Sequence, residues 1–237
     1  MKTEFFQNGI RFVSSPGQFS LGTDAMVLAD FAEPEPGAEV CDLCAGCGAV
    51  GLLLLARQPR LGVTAVELQE GACAAARENA EANALTDRLR VVQGDLRQIK
   101  GLLPASGFRC VVCNPPYYPV GAGFAAKDRA LAVARTELCC TLADVCAAAA
   151  WLLQTGGSFY LVHRAERIAD AIVSLREAGL EPKRLRLVRH SPKDGYSLVL
   201  CKAVLGGRPG VQCLPELVLF EEDGSPSGEY RRIYHMK

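Results

Sequence analysis

The chain has 237 residues, 49% of them hydrophobic, with 26 basic and 26 acidic side chains. That length and apolar content support one domain with a full core, or one domain with a small appendage. No run of about 18 uncharged apolar residues occurs, so no membrane-spanning helix is expected. Zero formal charge excludes a uniformly basic nucleic-acid binder and leaves only a local patch for that role. Eleven cysteines occur in a chain too long and too rich in core residues for a disulfide scaffold. They are expected as free thiols in a reducing cytoplasm, packed as small apolar side chains. The stretch Met1 to Asn8 has no hydrophobic signal core.

Residues 1–38 precede the first regular unit. Within them, Leu21–Phe31 is predicted as a short helix capped near Thr23 or Asp24. From residue 39, short apolar strands alternate with helices. Strand Glu39–Leu43 leads to helix Gly48–Arg57, and strand Val63–Val66 to helix Glu70–Asn83. Strands Leu89–Val92 and Arg109–Cys113 follow. Residues 115–136 form a long Gly/Ala-containing loop, a length that is usually functional or disordered inside a compact domain. Glu137–Leu153 is predicted as a long Ala-rich helix, before strand Ser158–Val162 and helix Ala165–Ala178, which ends at Gly179. Strands Arg184–Val188 and Ser197–Val204, joined across Pro192–Gly195, read as an antiparallel hairpin. Repeated βα units closed by a hairpin imply an α/β fold, with a mostly parallel seven-stranded sheet covered on both faces.

Three motifs carry chemistry. Cys41, Cys44 and Cys47 form C-x2-C-x2-C, and Cys110 and Cys113 are similarly spaced. An iron–sulfur site would want a fourth cysteine and a proline shortly after, where Gly51 stands instead. Strand residues three apart face opposite sides, so Cys110 and Cys113 cannot share a metal, and no metal site is expected. The second motif, Asp42-Leu43-Cys44-Ala45-Gly46-Cys47-Gly48, joins the first strand of the repeat to its helix. Glycines there allow a tight turn and close ligand approach, and the helix N-terminus attracts negative charge. Gly46-x-Gly48-x-x-Gly51, with Glu67 19 residues after Gly48, also fits the dinucleotide fingerprint. That segment alone leaves a dinucleotide open. Asp42, however, is poorly placed beside a pyrophosphate and suits a cofactor bearing an ammonium group.

The third motif is Asn114-Pro115-Pro116-Tyr117, directly after the apolar run Cys110–Cys113. Two prolines cannot continue a strand or helix, so the chain leaves the sheet rigidly at a strand's carboxyl end. Ligands of open α/β sheets bind at such ends. The Asn114 amide oxygen and the Pro115 carbonyl are acceptors that can grip an exocyclic amino group, and the Tyr117 ring can stack on a flat base.

Asn114–Tyr117 resembles the signature of methyltransferases that modify planar amino nitrogens. Asp42–Gly48 resembles methyltransferase motif I, commonly D-L-G-x-G-x-G, with Cys44 in place of the first glycine. More widely, Gly22–Phe31, Asp42–Leu55, Ala134–Glu137, Leu161–Arg167 and Gly206–Gly210 resemble the bacterial tRNA1(Val) adenine-N6 methyltransferase family. The resemblance implies a Rossmann-like class I methyltransferase fold over residues 39–237, with residues 1–38 closing over S-adenosylmethionine. It implies a cofactor site made of Thr23, Asp42, Cys44, Gly46, Gly48, Glu67, Asp95 and Asn114. Glu67 would bind the ribose hydroxyls, and Asp95 the adenine amino group. Asn114, Pro115 and Tyr117 would handle the target adenine of a tRNA, next to the anticodon. A monomer is expected.

Lys183, Arg184, Arg186, Arg189, Lys193, Lys202 and Arg208 stand against one acid, Asp194, between residues 183 and 208. Such a stripe is the footprint of phosphate binding, and also of a solvated sheet edge. All of these except Lys202 are taken as candidate RNA contacts. Rival readings are a protein-glutamine N5 methyltransferase of release factors, a guanine-N2 rRNA methyltransferase, and a non-catalytic RNA- or cofactor-binding domain. The first usually carries a helical substrate domain ahead of the cofactor fold, and the second usually has phenylalanine at Tyr117.

Overall fold

The computed structural model describes residues 2–5, 9–14, 21–117 and 140–236. Most of the predicted 115–136 loop, and the predicted helix start at Glu137, lie outside the described residues. The chain opens with strands β1 (Lys2–Phe5) and β2 (Arg11–Ser14), then helix α1 (Thr23–Phe31). The alternating part runs β3 (Glu39–Leu43), α2 (Ala49–Arg57), β4 (Gly62–Glu67), α3 (Glu70–Ala82), β5 (Leu89–Gln93), α4 (Ile99–Leu102) and β6 (Phe108–Cys113). After these come α5 (Leu142–Leu152), β7 (Leu153–Arg164), α6 (Ile168–Glu177), β8 (Leu180–Arg189) and β9 (Tyr196–Leu205). Strands β10 (Gln212–Cys213) and β11 (Leu217–Val218) and helix α7 (Gly228–Ile233) end the described chain.

One nine-stranded sheet has the order β10-β8-β9-β7-β6-β3-β4-β5, with β11 also paired to β8. Strands β3 to β7 pair in parallel, while β9 lies antiparallel between β7 and β8. The seven long strands are those expected; the two added strands are two-residue edge pieces. The central parallel strands β3, β4 and β6 are buried on both faces, as βαβ crossovers require, while the edge strand β5 is only partly covered. Cys41, Val111 and Cys113 belong to one core cluster, and Val40, Cys110 and Val112 to the other. The period-two alternation therefore sends Cys110 and Cys113 into different cores.

Helix boundaries depart from expectation where local hydrogen bonds decide them. The described alanine-rich helix begins at Leu142, behind a capping box. The Asp144 N–H donates to Thr141 Oγ1 at 3.2 Å, and the Thr141 N–H to Asp144 Oδ2 at 2.8 Å. The N-cap of α1 is Gly22, which has no side-chain cap, so neither Thr23 nor Asp24 serves as the expected cap. Both side chains are used elsewhere. The Tyr234 hydroxyl donates to Thr23 Oγ1 at 3.2 Å, tying α1 to the C-terminal helix α7.

The β1–β2 hairpin has no counterpart among the predicted elements. It docks on α3 through two asparagines. The Arg11 N–H donates to Asn83 Oδ1 at 2.7 Å, and the Val13 N–H to Asn79 Oδ1 at 2.7 Å. Asn79 is fully buried, and its Nδ2 donates onward to the Cys47 carbonyl at 3.3 Å. One amide thus joins the N-terminal hairpin, α3 and the turn after β3. Asn79→Ala leaves a part-buried N–H and a buried carbonyl without partners and should destabilise by about 2–3 kcal/mol. Urea melts of wild type and variant would check this, and equal midpoints would refute it.

Candidate active site at the carboxyl ends of the strands

Parallel pairing brings the ends of β3, β4, β5, β6 and β7 to one edge of the sheet, where the motif residues collect. The turn after β3 holds three left-handed residues, Cys44 (φ 56°), Gly46 (φ 56°) and Gly48 (φ 79°). Two glycines take such angles without penalty; Cys44 does so with strain. A Cβ on Gly46 would meet nothing within 4 Å, so this turn presents bare backbone to open space. A Cβ on Gly51 would lie 3.0 Å from Val63 Cγ1 and 3.5 Å from Asp42 Oδ2, so α2 packs this closely on the sheet only with glycine there.

Two buried carboxylates pin the turn. Glu67, at the end of β4, accepts the Gly46 N–H on Oε2 at 2.9 Å and the Gln69 N–H on Oε1 at 2.8 Å. Each oxygen retains a lone pair for a ligand hydroxyl. Asp42 is 1% exposed and accepts the Gly51 N–H on Oδ2 at 3.1 Å. Its Oδ1 is buried with no hydrogen-bond partner. Burial pushes Asp42 up to about 7, with the Gly51 N–H opposing and the Glu67 charge adding to the rise. An orphaned oxygen of this kind fits a ligand ammonium.

Cys44 has a structural partner set that its position in the motif did not reveal. Its thiol hydrogen-bonds with those of Cys113 and Cys140, and it packs against the core cluster that holds both. The Cys113 bond and burial push the Cys44 thiol well up, so these sulfurs stay protonated and act as packing groups. Contact with neighbouring sulfurs compensates the strained angle.

Asp95 caps the short 3-10 turn after β5. Its Oδ1 accepts the Arg97 N–H at 2.9 Å, and its Oδ2 the Arg97 Nε–H at 2.9 Å. Arg97 therefore already holds the carboxylate expected to meet an adenine amino group. Asn114 leaves β6 beside the buried Pro115. The Tyr117 hydroxyl donates to Asn114 Oδ1 and is also hydrogen-bonded with Asp24. Burial pushes Asp24 up, against its Tyr117 bond and the Arg164 charge. The Tyr117 ring stands edge-on to His163, centroids 5.3 Å apart. His163 is fully buried, its ring nitrogens lack partners, and burial lowers it to about 4, so it stays neutral. Asp42, Cys44, Gly46, Gly48, Glu67, Asp95, Asn114, Pro115 and Tyr117 all stand at this edge, whereas the hydrogen-bond partner of Thr23 is Tyr234 at the end of α7. Sequence reasoning did not foresee the bond of Asp24 to Tyr117.

The basic stripe looks different in three dimensions. Arg184 pairs with Glu33, Arg186 with Glu229 and Arg189 with Glu216. Lys193 pairs with Glu222 at 3.3 Å, and Lys183 Nζ donates to the Arg208 carbonyl at 3.0 Å. Carboxylates distant in sequence offset much of the local charge. A separate cavity of 290 Å³, lined by Arg109, Gln154, Ser158 and Tyr160 among others, opens near the starts of β6 and β7, away from Asn114.

The chain belongs to the Methyltransferase small domain family, whose model matches residues 9–178. It is 29% identical over 178 residues to a tRNA1(Val) (adenine(37)-N6)-methyltransferase of Porphyromonas gingivalis, covering 73% of this chain and 69% of that one. It is 33% identical over 143 residues to the protein of that name from Aeromonas hydrophila, covering 60% and 58%. The fold is similar to that of a crystal structure of a predicted O-methyltransferase from Agrobacterium tumefaciens, with TM-score 0.74 and 22% identity. That match covers 90% of this chain and 96% of that one. TrmN from Thermus thermophilus is also similar, with TM-score 0.55, 23% identity and coverage of 76% and 48%. The class I methyltransferase architecture expected from sequence is thus the observed one.

Two outcomes test this geometry. Cys44→Gly trades sulfur contacts for relief of strain and should leave stability within about 1 kcal/mol, whereas Cys44→Val, β-branched at positive φ, should cost about 2 kcal/mol or more. Thermal melts would show it, and equal effects would contradict the strain assignment. Asp42, raised from 3.8 to about 7, binds its proton more tightly when folded. Its contribution to stability is full below about 4 and is lost as pH rises through about 7. From pH 5 to pH 8 the ligand-free wild type should lose roughly 2–3 kcal/mol relative to Asp42→Asn. Parallel pH dependences in denaturant melts would refute it.

Proposed function

We propose that this chain transfers a methyl group from S-adenosylmethionine to the N6 amino group of an adenine in tRNA, at the adenine next to the anticodon of tRNA1(Val). The relatives' names support the substrate. The observation that carries the chemistry is the Tyr117 hydroxyl donating to Asn114 Oδ1 at the end of β6. A phenolic O–H fills the acceptor that an exocyclic N–H would use.

When S-adenosylmethionine is bound, it supplies an already activated sulfonium methyl. Asp42 Oδ1 would take its ammonium and Glu67 its ribose hydroxyls, on the open side of the Gly46 turn. The target adenine leaves its stack, as bases do in an anticodon loop. Tyr117 releases Asn114 and stacks on the base, a contact worth roughly 1–3 kcal/mol. Asn114 Oδ1 and the Pro115 carbonyl then accept both N6 hydrogens and hold the nitrogen lone pair in line for displacement. No strong base acts before attack, and the proton leaves afterwards. Catalysis is positioning, and neutral His163 supports the Tyr117 ring rather than moving a proton. The Arg184 pair, whose Glu33 partner is largely exposed, is of a kind worth about 0–1 kcal/mol, so a phosphate can displace that carboxylate.

The test is methyl transfer from labelled S-adenosylmethionine to tRNA lacking its own modification, followed by nucleoside analysis. Label should appear in N6-methyladenosine. Asn114→Ala should lose roughly 100-fold or more in turnover while keeping cofactor affinity. Tyr117→Ala should lose far more than Tyr117→Phe. Label in another nucleoside, in protein glutamine, or unchanged turnover of Asn114→Ala would overturn the reading.

A further inference from the structure

Arg164 is the last residue of β7, the strand that pairs with β6 on the side away from β3. Cys113 and Leu161 are register partners, so Arg164 extends just past Asn114 at the same edge of the sheet. Its charge acts on Asp24 and on Tyr117, whose hydroxyl bonds Asn114. Its Nε is buried and has no hydrogen-bond partner. Among the described residues, its guanidinium makes no ion pair. The contrast with other arginines lies in the ion pair: Arg189 has a buried, unpartnered Nε too, but it is paired with Glu216, while Arg167, Arg184 and Arg186 are paired with Asp170, Glu33 and Glu229. A buried N–H donor left unpaired destabilises the fold, and more so when it belongs to a charged group. A group carrying such a cost beside a substrate site is placed for a ligand.

We propose that Arg164 binds the backbone phosphate of the target nucleotide and so seats the adenine over Asn114. The proposal rests on the RNA reading above and deepens it. A phosphate supplies two oxygens to the planar fork of a guanidinium, satisfying Nε–H and a terminal N–H together. Lysine could offer the charge without the paired geometry. The other anion within the reaction is the carboxylate of S-adenosylmethionine. β6 lies between β7 and β3, so Arg164 lies on the far side of Asn114 from the turn after β3, which favours the nucleic-acid phosphate.

The experiment uses the full chain as wild type, Arg164→Gln and Arg164→Lys. It measures steady-state methyl transfer to unmodified tRNA against salt, and S-adenosylmethionine affinity by titration. Arg164→Gln should raise the KM for tRNA by about tenfold or more, with cofactor affinity unchanged. The slope of log kcat/KM against log salt should become shallower by about 0.7–0.9, one phosphate's worth. Arg164→Lys should recover the salt slope but only part of the KM. Unchanged tRNA kinetics in Arg164→Gln, with wild type active, would overturn the proposal, as would weakened cofactor affinity, which would assign Arg164 to the cofactor carboxylate. A wild type inactive on tRNA would sink the RNA reading itself. If Arg164→Gln does not fold, the Arg164→Lys comparison decides, and a wild-type KM there would overturn the need for the fork.

Discussion

Everything at the functional edge depends on how the turn after β3 is held. Three left-handed residues within five positions would not hold one shape unaided. Glu67 and Asp42 hold them, each by accepting a backbone N–H from the turn or from the helix behind it. These bonds cross from β4 to the turn and from β3 to α2, so the parallel register of β3 with β4 is a precondition. Both carboxylates keep acceptor capacity unspent. The residues that shape the turn are also those with chemistry left to offer a cofactor, and that economy links fold to function here.

A second chain of contacts reaches the site from the N-terminal segment. Asn79 connects the β1–β2 hairpin to the Cys47 carbonyl, and Asp24 of α1 meets Tyr117. A segment that precedes the alternating fold therefore touches both the cofactor turn and the Asn-Pro-Pro-Tyr corner.

Much of this was legible in the sequence, for definable reasons. Parallel strands buried on both faces read as apolar runs, so β3, β4, β6 and the core of β7 stood out. Strand-end acids and a proline pair mark positions rather than patterns, so Glu67, Asp95 and Asn114 could be placed before any coordinates. What stayed hidden was non-local. The β1–β2 hairpin is short and docks through asparagines on a helix some 70 residues away (Val13 to Asn79 spans 66 positions). The arginines of β8 looked like a bare stripe because Glu33, Glu216 and Glu229 lie outside the window in which charge was counted. The partners of Cys44 were hidden because Cys113 ends β6 and Cys140 precedes the N-cap of α5, both far from it in sequence. The start of the alanine-rich helix was set by the Thr141–Asp144 box, not by the alanines.

The central claim is that one edge of the sheet, from the β3 turn to Asn114, forms the cofactor site. Backbone hydrogen exchange with and without S-adenosylmethionine tests it most directly. Added protection should concentrate at residues 42–51, 67–69 and 94–97, with the hairpin at Arg11–Val13 responding through Asn79. Protection confined instead to the cavity lined by Arg109 and Tyr160, or none anywhere, would contradict the account.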